Sequence, residues 1–287
     1  MAQQLLLNSI NYKGDSTFTF QFLSPQTFNN MEISLTSMNI YNSIPNITSA
    51  LKNNQLKIKW PSGTSSYIDA TITFPDGFYD ASSFNTYLIS QMKALGLYTY
   101  DTGTLLSTYY ISLEESAFQY GINLTTYVIP TTKTVPNGFT NWTQLVTTNR
   151  SPKVYFSKAL GKIFGFNETV DFTTEYGAVS STTNASAYSQ TLSNICPQIN
   201  DSNTVILCCD AVRNPYSFPS QFLTAVPIIS GFGEPIVLPS AEAIYQKVTD
   251  GYYPSISLTL YDQNNKKLPI FDTNACFILT IRQRQGK

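Results

Sequence analysis

Residues 255–261 read SISLTLY, with an apolar residue at every second position. That period of two recurs along most of the 287-residue chain. Successive side chains of a strand point to opposite faces, so a period of two sends one face into a core and leaves the other in water. Alternating or β-rich runs bounded by turn residues cover 17–23 (TFTFQFL), 32–40 (EISLTSMNI), 55–60 (QLKIKW) and 67–74 (YIDATITF). They continue at 108–114, 119–129, 204–212 (TVILCCDAV), 226–230, 234–240 and 276–282. Pro61-Ser62-Gly63-Thr64 reads as a hairpin turn, and DQNNKK from Asp262 to Lys267 reads as the loop between the last two strands. The prolines in VPIIS and EPIVLPS restrict those runs to edges, bulges or strand starts.

One segment breaks the period. Phe84, Leu88, Ile89, Met92 and Leu95 share a face at 3.6 residues per turn, which predicts a helix over about 80–95. Asp80, Ser82 and Ser83 are candidate N-caps, and Gly96 is a natural stop. Phe74-Pro75-Asp76-Gly77 ahead of it is turn chemistry. A second short motif, KVYFSKALGKIFGF at 153–166, offers Ser157 as the cap of a single helical turn, interrupted by Gly161 and Gly165. Residues 168–203 are poor in large aliphatics and rich in Ser, Thr and Asn, so they are expected to be surface loop with room for a short strand. No repeat or linker divides the chain. The expectation is one all-β domain over 1–287: an antiparallel sandwich of two sheets of about four strands, with one short helix. An apolar arm at 1–14 carries Leu5-Leu6-Leu7 and Ile10, and a basic tail ends the chain at 283–287. Such an arm docks on its own domain or on a neighbour.

Charged residues are 12% of the chain, where ordinary soluble domains carry about a quarter, and aromatics reach 14%. The surface is therefore largely Asn, Ser, Thr, Gln and Tyr. That suits a subunit that lives assembled, and it equally suits a tyrosine-rich globular domain. With a net charge of −1 there is no global basic footprint for nucleic acid or an anionic membrane. No apolar run approaches the roughly 20 residues of a membrane span. The opening MAQQLLLNSINYKGD lacks the basic and apolar regions of a secretory signal. Reduced thiols are expected. Cys196, Cys208, Cys209 and Cys276 have no C-x-x-C spacing and read as buried free thiols. The seven N-x-S/T sequons carry little weight in so Asn-rich a chain.

The chain has no histidine, which excludes Ser-His-Asp and Cys-His catalysis and every histidine-bearing metal site. Glu114-Glu115 and the group Glu168, Asp171 and Glu175 are the available carboxylates for a hydrolase, and all read as solvated surface charge. Gly161-Lys162 is not a phosphate loop, Gly231-Phe232-Gly233 reads as a turn, and Asp262-Gln263-Asn264-Asn265 lacks the glycine and final glutamate of a calcium loop. No catalytic, cofactor or metal residue is assigned. Arg282, Arg284 and Lys287 could meet nucleic acid or an acidic partner, although a solvated end explains them as well.

Taken in order, FPDGFYDASSFNTYLISQM, SKALGKIFGF, TVILCCDAV and the closing IYQKVTDGYYPSISLTLYDQNNKKLPIF resemble the penton, or minor capsid, proteins of virophages and polinton-like viruses. The likeness runs over about residues 15–284. It implies a single jelly roll whose helix caps the open end of the sandwich. It also implies homopentamers at the five-fold vertices of an icosahedral virion assembled in the host cytoplasm. The implied partners are a double jelly-roll major capsid protein and other minor capsid proteins, with no cofactor, no enzymatic activity and no nucleic-acid contact beyond the basic tail. A receptor- or glycan-binding fibre head is the alternative, and a carboxylate hydrolase is a third reading.

Overall fold

The computed structural model describes residues 2–284 except 64, 117–119, 239–242 and 273. The expected strands at 119–129 and 234–240 therefore lie partly outside the described residues, as do the last three positions of the basic tail. In chain order the elements are β1 (Ala2–Asn8), β2 (Thr17–Phe28), β3 (Met31–Tyr41), β4 (Gln55–Ser62), β5 (Ser66–Thr73) and α1 (Ala81–Ala94). Next come β6 (Thr99–Tyr100), β7 (Ser107–Thr108), β8 (Ile111–Glu115), β9 (Ile122–Tyr127), β10 (Asn149–Arg150), β11 (Lys153–Phe156) and α2 (Lys158–Phe164). The series closes with β12 (Ser180–Ser181), β13 (Tyr188–Leu192), β14 (Thr204–Cys209), β15 (Phe222–Pro227), β16 (Pro235–Val237), β17 (Gln246–Lys247), β18 (Gly251–Tyr261) and β19 (Cys276–Gln283). The sequence reading has one domain, whereas the chain folds as two compact units, 1–44 with 202–287, and 45–201.

The first unit is an antiparallel sandwich. One sheet runs β1-β19-β3-β16, with β17 also on β3, and the other runs β15-β14-β18-β2. Leaving aside β17, the first strand pairs with the eighth, the second with the seventh, the third with the sixth and the fourth with the fifth. A long hairpin rolled on itself gives this nesting, in agreement with the jelly roll expected. Both sheets send alternate residues into one core: Leu7, Leu279 and Met38 from the first, Phe18, Leu207 and Leu258 from the second. The Phe18 and Phe277 rings meet edge to face at 4.9 Å. In β3 the alternation slips at Thr36, where the pairing jumps from Ser37↔Ile278 to Leu35↔Leu279. The extra residue lets both Leu35 and Met38 face inward, the role of a β-bulge. The apolar arm is β1 itself, docked on its own unit with Leu5 and Leu7 in the core.

The second unit holds two three-stranded sheets, β11-β4-β5 and β13-β9-β8, two short two-stranded ribbons and both helices, around a separate core. In α1, Asp80 is the N-cap: its Oδ1 accepts the Ser83 N–H at 2.7 Å, and the Asp80 N–H donates to Ser83 Oγ at 3.0 Å. The helix ends as the sequence predicts. Gly96 takes φ +71°, and Leu97 and Gly96 donate to the carbonyls of Met92 and Lys93. Phe84, Leu88 and Met92 are buried, each burial stabilising by roughly 1.5–3 kcal/mol. Ile89 and Leu95 stay partly exposed, so the buried stripe is narrower than the periodicity suggests.

The helix does close a core, but that of residues 45–201. Phe84 stacks on Phe74 at 4.3 Å and meets Phe164 at 4.5 Å, so its stripe belongs to the aromatic cluster of this unit. The capping of the sandwich implied by the family likeness is corrected accordingly. The second motif also forms a true helix. Ser157 Oγ accepts the Leu160 N–H, Gly161 lies inside the helix without breaking it, and Gly165 ends it in the left-handed conformation.

Candidate functional site

The chemistry-bearing residues are dispersed as structural contacts. Glu114 and Glu115 are exposed on β8, as expected. Glu168 is not solvated: it is 2% exposed, and its Oε1 accepts the Tyr176 hydroxyl at 2.5 Å; burial first, and then this bond, raises the tyrosine pKa. Its other oxygen, Oε2, is buried without a hydrogen-bond partner, so the carboxyl sits inside at a cost that the Tyr176 contact offsets only in part. Asp171 Oδ1 accepts the Lys158 N–H at 2.6 Å at the start of α2. Glu175 pairs with Lys153 Nζ at 2.8 Å and accepts the Tyr155 hydroxyl at 2.6 Å. Partial burial acts to raise the Glu175 pKa, but these two partners outweigh it and hold the carboxyl below its ordinary value. Among the described residues no three Asp, Glu or Cys side chains are grouped to hold a metal.

The cysteines divide. Cys208 and Cys209 are buried, and only Cys209 belongs to the sandwich core, as consecutive strand residues require. Burial pushes their thiols up to about 11 and about 12. Cys276 is half-buried and Cys196 is exposed, against the expectation that all four are buried. Cys196 lies in a segment with few large aliphatics to cover it. Gly231–Gly233 forms a turn closed by Glu234 Oε2, which accepts the Gly231 N–H at 2.8 Å. Asp262 Oδ1 accepts the N–H groups of Asn264 and Lys266, so the calcium-like start is a self-capped loop. Arg282 lies 2.6 Å from Glu32 Oε1 and 3.5 Å from the Tyr245 ring centroid, and Arg284 donates its N–H to Asn30. The start of the basic end is thus tied to its own unit.

What the folded chain presents instead is surface. In β2 the pairing jumps from Gln21↔Ser255 to Gln26↔Tyr253, so Phe22 to Pro25 stand opposite Pro254 alone. Two prolines without N–H groups make the ladder break there. Phe22 turns in towards the core while Leu23 projects, fully exposed, from a sheet edge. The β14–β15 connection carries Tyr216 and Phe218, 97% and 90% exposed, and β18 adds exposed Tyr252. Between the β1–β2 and β18–β19 connections lies an open cleft of about 520 Å³, with Tyr12, Pro269, Ile270 and Phe271 as its apolar lining and Asp15, Lys267 and Asp272 beside them. Lys267 and Asp15 are ion-paired there. Aromatic side chains on loop tips over a rigid sandwich are the material of a contact surface. The sequence reading ends this strand at Leu23, before Ser24-Pro25, whereas β2 continues through the bulge to Phe28.

In the second unit, charge is sorted. On the outer face of sheet β11-β4-β5, Lys57 lies 4.2 Å from the Phe172 ring centroid and Lys59 5.6 Å from that of Tyr155. Arg150 and Lys153 share Tyr67 at 4.1 and 4.7 Å. Elsewhere in this unit Asp80, Glu114 and Glu115 line one groove of about 360 Å³ with Ser82 and Asn85.

No family model and no curated protein matches the chain. Among solved structures it is similar to the selenomethionine-labelled mavirus penton protein, with a TM-score of 0.46 and 12% identity over 98% of this chain and 96% of that one. It is also similar to a chain in the cryo-EM structure of the Sputnik virophage, with a TM-score of 0.41 and 12% identity over 99% and 97% of the two chains.

Proposed function

We propose that this protein is a structural virion subunit: a penton whose five copies close the five-fold vertices of an icosahedral capsid and contact a double jelly-roll major capsid protein. The observation that carries the reading is the sandwich of 1–44 and 202–287, from whose edge and loops Leu23, Tyr216 and Phe218 project into water. A chain with only 12% charged residues gains by covering such side chains with a neighbour. The motif likeness to virophage pentons supports the same reading, as does one eight-stranded sandwich where a double jelly-roll protein needs two. In a ring each copy uses two different surfaces, and a rotation of one fifth of a turn closes it. The role is architectural and not enzymatic, it is exercised in the virion, and the subunits assemble in the host cytoplasm.

Light scattering coupled to size exclusion tests this directly. Five copies of the 32.0 kDa chain make 160 kDa, and three make 96 kDa. A mass near 160 kDa is expected. The aromatic tip at Tyr216 and Phe218 also suits a receptor- or glycan-binding head, and a 96 kDa trimer that retains glycan would replace the vertex reading with that one.

A further inference from the structure

We infer that the ring is held in part by a contact between neighbouring copies, in which the cationic outer face of sheet β11-β4-β5 of one copy docks on the Asp80, Glu114 and Glu115 groove of the next. This rests on the ring reading above and names two surfaces that make the ring.

The cationic face is assembled by pairing, not by a run in the sequence. Lys57 and Lys59 alternate with the buried Leu56, Ile58 and Trp60 along β4, and Lys153 is the direct cross-strand partner of Lys59. Like charges in that register repel. Asp69, opposite Lys59 on β5, and Glu175, on Lys153, offset part of this. Arg150, over Tyr67, restores the excess, so four cations face two anions. Lys57 and Arg150 lie over rings, which leaves their charge unneutralised and holds the side chains in place, so less entropy is lost on docking, whereas Lys59 lies over Tyr155 and faces Asp69.

The groove is the opposite case. Its lining contains three carboxylates and no cation. Asp80 is occupied as the helix cap, which together with its other hydrogen bonds to Ser82 and Ser83 lowers its pKa and keeps it anionic. Glu114 and Glu115 stand exposed beside it. A closed ring of more than two copies needs two unlike, complementary patches on each copy. These are two such patches, of opposite sign, on each copy. Exposed ion pairs add little energy but steer encounter and exclude wrong registers.

The test uses the full chain in three charge-reversed forms: K57E/K59E, E114K/E115K, and all four together. Each is followed by light scattering across a concentration series at low and high salt. Each reversed pair is expected to raise the midpoint of assembly about tenfold or more, and the quadruple variant to recover to within about threefold of the natural chain. Thermal melts check folding, and the neutral pairs K57Q/K59Q and E114Q/E115Q serve if a reversal fails to fold, with smaller losses expected. Assembly that is indifferent to both pairs, or a quadruple variant no better than the weaker pair, overturns the contact and leaves the ring standing. A natural chain that is monomeric throughout overturns both. If K57E/K59E loses binding to a duplex DNA probe and assembles normally, the face serves a polyanion and the contact is wrong.

Discussion

Asn85 meets Leu113 as a neighbouring strand would. Its Oδ1 accepts the Leu113 N–H at 2.9 Å, and its Nδ2 donates to the Leu113 carbonyl. Leu113 lies on β8, the edge of its sheet, so one helical side chain covers both backbone groups that the missing strand would have paired. This fixes how α1 sits on β8. Asn85→Ala strands a partly buried donor and acceptor and should destabilise the 45–201 unit by about 1–3 kcal/mol. Asn85→Asp adds a fourth carboxylate to the groove of Asp80, Glu114 and Glu115. Its loss should therefore be greater at pH 7 than near pH 4, where carboxyls begin to protonate. Urea melts at the two pH values measure both.

Leu7 and Leu6 separate burial from mere hydrophobicity. Leu7 is fully buried in the sandwich core, and Leu6, paired with Ile278 in the same ladder, is 51% exposed. Leu7→Ala should cost about 2–5 kcal/mol and Leu6→Ala about 0.5 kcal/mol or less. Removing residues 2–8 strips an edge strand and two core leucines, so the melting temperature of the sandwich should fall by many degrees. An unchanged melt would show that β1 is a detachable arm.

How much of this was legible follows from the range of each signal. The α1 cap at Asp80, its stop at Gly96, the Ser157 cap and most strand cores depend on residues within one turn or one strand, and sequence reads them. The boundary at Ile44 leaves no trace, because the strands on either side of it alternate alike, and the one at Ser202 shows only as the end of the Ser/Thr/Asn-rich stretch at 168–203. The Leu5-Leu6-Leu7 run masks the period of β1, whose place appears only when β19 pairs with it from the far end of the chain. Glu168 enters the core through Tyr176, and Lys153 joins Lys59 through a pairing across more than 90 residues. Such contacts are decided by tertiary structure, and no local pattern announces them.

Cys208 and Cys209 predict an alkaline limb of instability. Their thiols are raised from 9.0 to about 11 and about 12 by burial. A pKa higher in the folded state means that the folded chain holds the proton longer. The stability linked to these groups is therefore full below about pH 9 and is lost as pH rises through their folded values. Each unit of separation is worth about 1.4 kcal/mol. Cys209→Ala should be less stable at pH 7 yet lose less between pH 9 and 11 than the natural chain, as followed by urea midpoints. In the same samples at pH 8, iodoacetamide should modify exposed Cys196 and spare Cys208 and Cys209.

Gly165 and Gly138 share a backbone state and differ in their surroundings, which isolates what the second glycine of the KALGKIFGF motif contributes. Gly165 has φ +82° and Gly138 φ +84°. A side chain at either costs about 1–2 kcal/mol for the left-handed conformation. At Gly138 a Cβ would meet nothing within 4 Å, so Gly138→Ala should lose only that amount. At Gly165 the Cβ would come 2.4 Å from the Ile195 carbonyl oxygen and 2.9 Å from Ser193 Cβ. Retreat is blocked, because the Gly165 carbonyl also accepts the N–H groups of Asn194 and Ile195, both at 3.0 Å. Gly165→Ala must break that clasp between the end of α2 and the 193–195 segment, and should cost about 3 kcal/mol or more. Equal denaturation midpoints for the two variants would mean that the 193–195 segment yields freely and that the glycine serves only the helix end.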